Sequence, residues 1–561
     1  MPLELDPRPR AWSEPGRTTR EITTGGWRTR RPVWVEATAP CRVACPAGEP
    51  IAHWVAAARE GDWARAWTLI REANPMPAVT GRVCAHPCEA ACNRGAWDGA
   101  VAINALEQFV GDWGLRHGSP APPAARRPER VAVVGSGPAG LACAYHLARW
   151  GYQVCVFEAA DALGGMLRHG IPEYRLPRRV LDAEIALILA LGVEVRTGRH
   201  VGRDLDWREL EAWDAVFIAT GAGRPLGLGV PGSDRARSGL EFLREVNRGG
   251  RPPLGPRVAV IGGGSTAMDV ARTARRLGAS RVSVLALEAR ETMPAAPDEV
   301  AQALAEGVEI CNHLGIRALR EAPGATASLV VAAPARLVQT PDGAIQPAFE
   351  PGPEVRLEVD TVLLAVGQEP DLDLLPAHLP RAAGLLAADA DGRTPVARIY
   401  AGGDVASRRR TVVEALGAGA RAARAIHAAL AGASLAPPPA TPAGLAVPSR
   451  RTVAFAQIGT HAFPRAARVS RREREATTRV AGFSEVLLPL DEPAARAEAQ
   501  RCFSCGRCTG CDVCRQVCPD LAVVRLEGGY RVDDAHCKGC GLCARECPRG
   551  ALEMADEPWA S

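Results

Sequence analysis

The stretch Val131-Ala132-Val133-Val134-Gly135-Ser136-Gly137-Pro138-Ala139-Gly140 decides the fold. Four apolar residues read as a buried strand, which runs into a glycine-rich turn and an Ala-rich helix reaching Trp150. A second strand, Gln153 to Phe157, ends at Glu158. Gly135 and Gly137 allow a tight turn and the close approach of a pyrophosphate, and Gly140 lets helix and strand pack. The helix N-terminus turns its N–H dipoles toward the phosphates. Glu158 stands where a carboxylate binds ribose hydroxyls. Strand, turn, helix, second strand and terminal acid together predict a dinucleotide-binding unit.

The unit recurs. Arg257 to Ile261 reads as a strand, Gly262-Gly263-Gly264-Ser265-Thr266-Ala267 as its turn, and a helix runs to Leu277 before a second strand, Arg281 to Leu287. Two such units imply one site for FAD and one for a nicotinamide. Three further apolar strands end in small residues, where backbone must approach a ligand. They close at Gly221, at Gly367 and at Gly402-Gly403-Asp404. Glu288 follows Ala267 by 21 positions, close to the ~20 expected of a ribose-binding acid. A carboxylate there binds a 2′-hydroxyl and repels a 2′-phosphate, which predicts NADH over NADPH. Arg290, two residues on, is the side chain that could instead receive a 2′-phosphate.

Strand–turn–helix units fill residues 130–431, the pattern of doubly wound α/β domains. The chain of 561 residues has length for roughly four modules. Net charge is only +4, so nothing points to nucleic acid or a membrane surface. Lys538 is the only lysine among 67 basic residues, a compositional bias. Residues 1–30 are polar and Arg-rich without the apolar core of a secretory signal, so a cytoplasmic protein is expected; a transit peptide has weak support. The apolar stretch near Ile185 to Val193 is far too short for a membrane span. Pro-rich linkers are expected near 117–129 and at 432–449.

Of 18 cysteines, most crowd into 41–92 and 502–547. Such spacing fits metal ligation in a reduced compartment better than disulfides. Cys508-x2-Cys511-x2-Cys514-x3-Cys518-Pro519 is followed by Cys537-x2-Cys540-x2-Cys543-x3-Cys547-Pro548. This is the two-cluster ferredoxin pattern, in which the fourth cysteine of each run serves the other cubane. One cluster would take Cys508, Cys511, Cys514 and Cys547, the other Cys537, Cys540, Cys543 and Cys518. Zinc sites use isolated CxxC pairs instead. Cys143 and Cys155 read as small buried hydrophobes.

Residues 31–431 resemble the small subunit of glutamate synthase and its relatives, which include the N-terminal half of dihydropyrimidine dehydrogenase and the flavin subunit of ferredoxin:NADP transhydrogenases. The matching stretches are Thr80-Gly81-Arg82-Val83-Cys84, Pro87-Cys88-Glu89-Ala90-Ala91-Cys92, Gly164-Gly165-Met166-Leu167-Arg168-His169-Gly170-Ile171-Pro172 and Gly402-Gly403-Asp404-Val405. The resemblance implies that the first unit binds FAD and that Asp404 meets its ribityl or phosphate. It implies that a helix from Thr411 points at the flavin. It also implies one cubane on Cys45, Cys84, Cys88 and Glu107. A second cubane retains Cys41 and Cys92, but Val33 and Glu36 stand where its other two cysteines would be. NADPH-using relatives carry paired arginines at the positions of Leu287 and Glu288. Thioredoxin reductases share the two-unit plan with a redox CxxC in the nicotinamide domain; that domain here has only Cys311.

Cys502 and Cys505 are surplus to the tail's eight ligands. Their setting, Glu498-Ala499-Gln500-Arg501-Cys502-Phe503-Ser504-Cys505-Gly506, is similar to the family's missing N-terminal half-motif, and Arg479 to Val486 is similar to the lead-in to it. Either they are free thiols, or they join Cys41 and Cys92 around a fourth cubane.

The expected architecture is an α/β core of two nested doubly wound dinucleotide-binding domains, preceded by an α-helical iron–sulfur domain and followed by a ferredoxin-like α+β domain. Its parts would be 31–116 (helical, iron–sulfur), 130–254 and 353–431 (FAD), 255–352 (inserted nicotinamide domain), 432–499 (linker and lead-in) and 500–556 (ferredoxin-like). Flavin converts between two-electron and one-electron carriers. The expected function is therefore an NADH:acceptor oxidoreductase, the electron-transfer subunit of a larger enzyme, with ferredoxin or a catalytic subunit as partner. The rivals are a glutamate synthase small subunit and a non-catalytic scaffold. No acid, base or nucleophile is nominated.

Overall fold

A computed structural model describes residues 23–119, 124–322, 328–339, 345–432, 447–527 and 529–557. Residues 1–22 of the polar, Arg-rich start, part of the 117–129 linker and most of the 432–449 linker lie outside the described residues.

The valine-rich strand Arg130–Val134 lies in a five-stranded parallel sheet. Its order is Ile399–Ala401, Ala215–Ile218, Arg130–Val134, Gln153–Phe157, Glu194–Arg196. Val131 and Val133 pack into the core on one face, and Ala132 and Val134 into the core on the other. A strand buried on both sides has no polar face to show, so it reads as an unbroken apolar run. Helices Pro138–Arg149 and Val412–Ala431 cross on one face. They approach so closely that a Cβ at Gly419 would lie 2.1 Å from the Ala139 carbonyl oxygen.

The second sheet is also parallel, in the order Val308–Cys311, Arg281–Leu285, Arg257–Ile261, Thr361–Leu364, Arg237–Ser238. A small antiparallel sheet built on Leu314–Glu321 and Ser328–Gln339 backs it. The second unit therefore takes more chain than the expected 255–352. Strand Thr361–Leu364 pairs with Arg257–Ile261, and the helix Gly239–Asn247 buries Phe242 and Leu243 in the same core. The glycine signature marks where a unit's first strand ends. It does not mark which flanking strands join the sheet.

Helices Ile51–Glu60, Trp63–Arg71, Pro77–Val83 and Ile103–His117 form the N-terminal block. The block is not wholly helical, because Arg30–Thr38 is a strand. It pairs antiparallel with Leu552–Asp556 and parallel with Val447–Thr452. Val33 and Glu36, at the positions of the absent cysteines, lie in this strand. The tail holds the hairpin Val523–Leu526/Gly529–Val532 and two short helices, Val513–Gln516 and Leu542–Arg545. Among the described residues no helix is long and apolar enough to cross a membrane.

The lead-in segment is fastened to both neighbours. Val486 N–H donates to the Tyr174 carbonyl at 2.9 Å, and Arg82 pairs with Glu485 at 2.7 Å. Arg479 lies 3.8 Å from Glu306, whose carboxylate already binds Arg272 and Arg276. The side chains of all three members of that triad are fully buried.

Candidate functional site

One cavity of about 1460 Å³ is walled by four parts of the chain. The first unit contributes Gly135, Gly137, Glu158, Gly165, Gly221, Gly403, Asp404 and Thr411; Gly367 also lines it. The second unit contributes Ser265, Thr266, Asp269 and the turn from Met293 to Glu299. The N-terminal block contributes Cys84 and His86, and the lead-in contributes Arg471 and Glu485.

The glycine turn is shaped by two different constraints. Gly135 has φ +103°, and a Cβ there would lie 2.4 Å from the Ala219 carbonyl oxygen. Gly137 meets nothing within 4 Å, so its bare Cα opens on the cavity. Gly140 does not line the cavity; a Cβ there would lie 1.9 Å from the Gly135 carbonyl oxygen. Ser136 and Ala160 N–H groups donate to Glu158 at 2.9 and 2.8 Å. Asp404, half-buried at the foot of the helix capped by Thr411, has its carboxyl pushed up to about 6 by desolvation. Arg168 and Gly164 sit beside this wall without joining it. The Arg168 guanidinium turns to the Leu163 carbonyl and to Asp182.

In the second unit Gly262, Gly264 and Ala267 form the turn and first helical residues behind the cavity wall. Gly262 has φ +136°, Gly264 faces open space, and Ala267 is buried. The carboxylate of Glu288 lies against the turn, its Oε2 2.3 Å from where a Gly263 Cβ would be. That oxygen is buried and has no hydrogen-bond partner among the described residues. Arg290 is turned to Asn312 and the Ile310 carbonyl, at 3.1 and 3.2 Å.

All 18 cysteines are free. Burial pushes the Cys45 thiol up to about 12, and pushes Cys84 and Cys88 up as well. The charges of Cys45, Glu107 and Glu49 add to this, which brings the three thiols and two carboxyls into one neighbourhood. Buried thiols and carboxyls ionise together only when a positive body compensates them. Asn74 Nδ2 donates to Glu49 and Glu107, both at 2.9 Å, so the two carboxyls are held side by side. Burial raises the Glu107 carboxyl well above the usual range. A solvated helix glutamate is thereby excluded at Glu107, which is 5 % exposed. His86, in the left-handed region at φ 39°, donates its N–H to Cys84 Sγ at 3.2 Å.

In the tail, burial raises Cys508, and the fields of Cys547 and Cys511 add to it; Cys514 is pushed up to about 12 with the same neighbours. Burial raises Cys537 and Cys543 likewise, with Cys518 and Cys540 adding to each. The structure thus brings together the two sets that the spacing implies, with Cys518 and Cys547 exchanged. Ala522 and Ala551 N–H groups donate to Cys518 and Cys547 sulfurs at 3.3 and 3.4 Å. Among the described residues no three of His, Cys, Asp or Glu are drawn tightly enough for a single metal ion. Ligands of one zinc all lie about 2.3 Å from it, whereas a cubane spreads its thiolates over four irons.

Glu49, Asn74 and His86 are the residues missed from the sequence. No spacing marks them, because their place depends on how deep three separate segments pack.

Fold, cavity and thiol sets define a flavoprotein of two dinucleotide units with iron–sulfur ligand sets on either side. Three family models match this division: pyridine nucleotide-disulphide oxidoreductase over residues 129–419, dihydropyrimidine dehydrogenase domain II (4Fe-4S cluster) over 35–119, and a 4Fe-4S binding domain over 530–553. The chain belongs to the pyridine nucleotide-disulphide oxidoreductase family, in the branch that resembles glutamate synthase small chains. It is 36% identical to the NADP(+)-dependent formate dehydrogenase subunit beta of Moorella thermoacetica, over 84% of this chain and 71% of that one. It is 34% identical to the glutamate synthase [NADPH] small chain of Mycobacterium tuberculosis, over 72% and 88%. It is 32% identical to the NAD-dependent dihydropyrimidine dehydrogenase subunit PreT of Escherichia coli, over 70% and 92%. FAD, a nicotinamide dinucleotide and [4Fe-4S] clusters are the cofactors of this architecture.

Proposed function

We propose that this chain oxidises NADH and passes the electrons to a partner protein, as the nicotinamide-reacting subunit of a larger redox enzyme. The carrying observation is the single cavity whose wall includes both dinucleotide units together with Cys84 and His86. Bound FAD exchanges two electrons with a nicotinamide and one with an iron–sulfur centre. Gly135, Gly137, Glu158, Gly403, Asp404 and Thr411 would hold the flavin dinucleotide. Ser265, Thr266 and the 262–264 turn would hold the nicotinamide dinucleotide. Cys45, Cys84, Cys88 and Glu107 would hold a cubane on the cavity's N-terminal side, and the tail would hold two more. Cys508, Cys511 and Cys540 are exposed, which favours the tail as the face met by the partner.

NADH is favoured by the unpartnered Glu288 Oε2 and by the engagement of Arg290 elsewhere. Against this, most of the relatives' names that specify a nucleotide carry NADP(+) or NADPH, while one carries NAD. A second reading, electron supply for glutamate formation, draws on the 34% identity to a glutamate synthase small chain.

Anaerobic stopped-flow reduction tests the reading. Flavin bleaching by NADH is expected, with kcat/KM for NADH above that for NADPH. Cys537→Ala should leave bleaching intact and impair reduction of a protein acceptor. Bleaching by neither nucleotide sinks the function, and a preference for NADPH sinks the assignment of Glu288. The subunit that co-purifies separates the two readings of the partner.

A further inference from the structure

A third cysteine set remains, and no cysteine spacing within either block produces it. Cys41 lies in the short helix Pro40–Ala44, and Cys92 immediately precedes the turn Asn93–Ala96. Cys502 and Cys505 follow the helix Glu492–Gln500, more than 400 positions later. The fold brings the two pairs together. Cys41, Cys92 and Cys502 pack against one hydrophobic core, and Asn93 Nδ2 lies 3.5 Å from Cys505 Sγ. The Cys41 thiol is raised by burial and by the fields of Cys502, Cys92 and Cys505; Cys505 is raised by burial, Cys502 and Cys92.

The segment carrying Cys502 and Cys505 is fixed. Arg94 lies over the Phe503 ring at 4.9 Å, with its guanidinium on Asp98 and on the Arg501 carbonyl. Arg501 in turn binds Glu498 at 2.6 Å, Asp98 at 3.2 Å and the Gly99 carbonyl at 2.7 Å. Gly506 is pressed on strand Arg30–Thr38, so that a Cβ there would lie 2.0 Å from the Ala37 carbonyl oxygen. Free thiols on a connecting turn need none of this.

The segment around Cys502 and Cys505 also carries polar atoms without partners among the described residues. Ser504, at φ 52°, donates its N–H to Cys502 Sγ at 3.4 Å. Its Oγ is fully buried and has no partner among the described residues. Arg549 donates to the Phe503 carbonyl at 2.5 Å, while its Nε is buried without a partner among the described residues. The buried Ser504 hydroxyl and the Arg549 guanidinium, both near Cys502, are suited to an anionic body that accepts hydrogen bonds, such as the sulfides and thiolates of a cluster.

We infer that Cys41, Cys92, Cys502 and Cys505 hold a fourth [4Fe-4S] cluster, whose ligands come half from the N-terminal block and half from the segment before the tail. The site goes beyond the proposed function and does not depend on which nucleotide or partner is used. Cys41 lies in the short helix that Cys45 caps, and Cys92 follows the helix Pro87–Ala90 that carries Cys88, so this cluster adjoins the Cys45–Cys84–Cys88 set. Arg549 lies in the field of Cys502, Cys511 and Cys547. A cluster there would stand between the set beside the cavity and the sets of the tail.

The test uses the full chain purified anaerobically, in wild-type form and as the Cys502→Ser, Cys505→Ser double variant. Iron and acid-labile sulfide should be about sixteen each per chain in the wild type and about twelve in the variant, at four per cubane. One reduced-cluster signal should vanish from the electron paramagnetic resonance spectrum. NADH should still bleach the flavin in the variant, while reduction of the tail clusters slows at least tenfold. An iron content near twelve in both proteins overturns the inference, as does about one equivalent of zinc that the double variant loses. If the double variant does not fold, Cys41→Ser and Arg549→Gln supply the same comparison: the first should lose about four irons, and the second should keep sixteen with a shifted midpoint potential. Failure of NADH to bleach even wild-type flavin would strike the proposed function and leave the iron count to decide the site.

Discussion

In the first dinucleotide unit the acid that closes the second strand is already occupied: Glu158 accepts from Ser136 of the glycine turn and from Ala160 of its own loop. In the second unit the corresponding Glu288 has a buried oxygen without a partner among the described residues. The buried acids behind these sites differ in the opposite sense. Glu184, on a helix of the first unit, has its carboxyl pushed up to about 8 by burial, with a hydrogen bond from Ala78 N–H. Glu306, in the second unit, is bound by two buried arginines and lies below its ordinary range despite its burial. One unit ties its strand-end acid to backbone N–H groups and has a core carboxyl that burial pushes up. The other fixes its core acid with two arginines and leaves an oxygen of its strand-end acid without a partner among the described residues.

Sterics give the largest expected effect. Gly140→Ala puts a methyl 1.9 Å from backbone in the first unit, whereas Gly264→Ala meets nothing within 4 Å in the second. The first should cost about 3 kcal/mol or more and yield protein without flavin. The second should keep flavin and raise KM for the nicotinamide. Flavin absorbance and circular dichroism read both, and flavin-replete Gly140→Ala protein would remove the contrast.

Glu306→Gln comes next. It leaves Arg272 and Arg276 buried without a counter-charge, at a cost of about 3–4 kcal/mol. Denaturant unfolding measures it; a loss below about 1 kcal/mol would mean that water or Arg479 rearranges to relieve the pair.

Glu184 predicts a pH dependence. Its folded-state value, about 8, lies above the unfolded value of 4.5. Between these the folded state holds a proton that the unfolded state has lost, so stability falls as pH rises through this window. From pH 6 to 8 the wild type should lose roughly 2 kcal/mol more than Glu184→Gln. Parallel melting curves for the two proteins would refute it.

The smallest effect separates the two ribose-site acids. Glu288→Gln should shift the NADH:NADPH ratio of kcat/KM about tenfold toward NADPH, near 1.4 kcal/mol, with stability unchanged. Glu158→Gln should leave that ratio alone and lower stability by about 1–2 kcal/mol, because it weakens charge-assisted bonds inside the loop. A ratio unmoved by Glu288→Gln would place the nucleotide's ribose elsewhere.

The strands, turns and helices of both units were legible because a parallel strand buried on two faces and a glycine turn leave continuous local signals. The tail's cysteine runs were legible for the same reason. Three things were not. Strand Thr361–Leu364 reads alike whichever sheet it joins, since both offer an apolar edge. Arg168 sits in a family motif, yet its side chain finds Asp182 on the neighbouring helix. Glu49 meets Glu107 only through Asn74, and no local pattern announces a contact between three segments.

Strand Arg30–Thr38 has a consequence for biosynthesis. Its antiparallel partner is Leu552–Asp556, so about 500 residues are translated between the two. At about 5–20 residues per second that is roughly 25–100 s. Throughout that interval the nascent N-terminal block carries buried-type thiols and an unpaired strand edge, surfaces that invite aggregation and oxidation. A ribosome stalled near residue 490 should therefore display a folded flavin core with an open N-terminal edge. The chaperones and iron–sulfur donors that serve this chain would have to act late, once Leu552–Asp556 has been made.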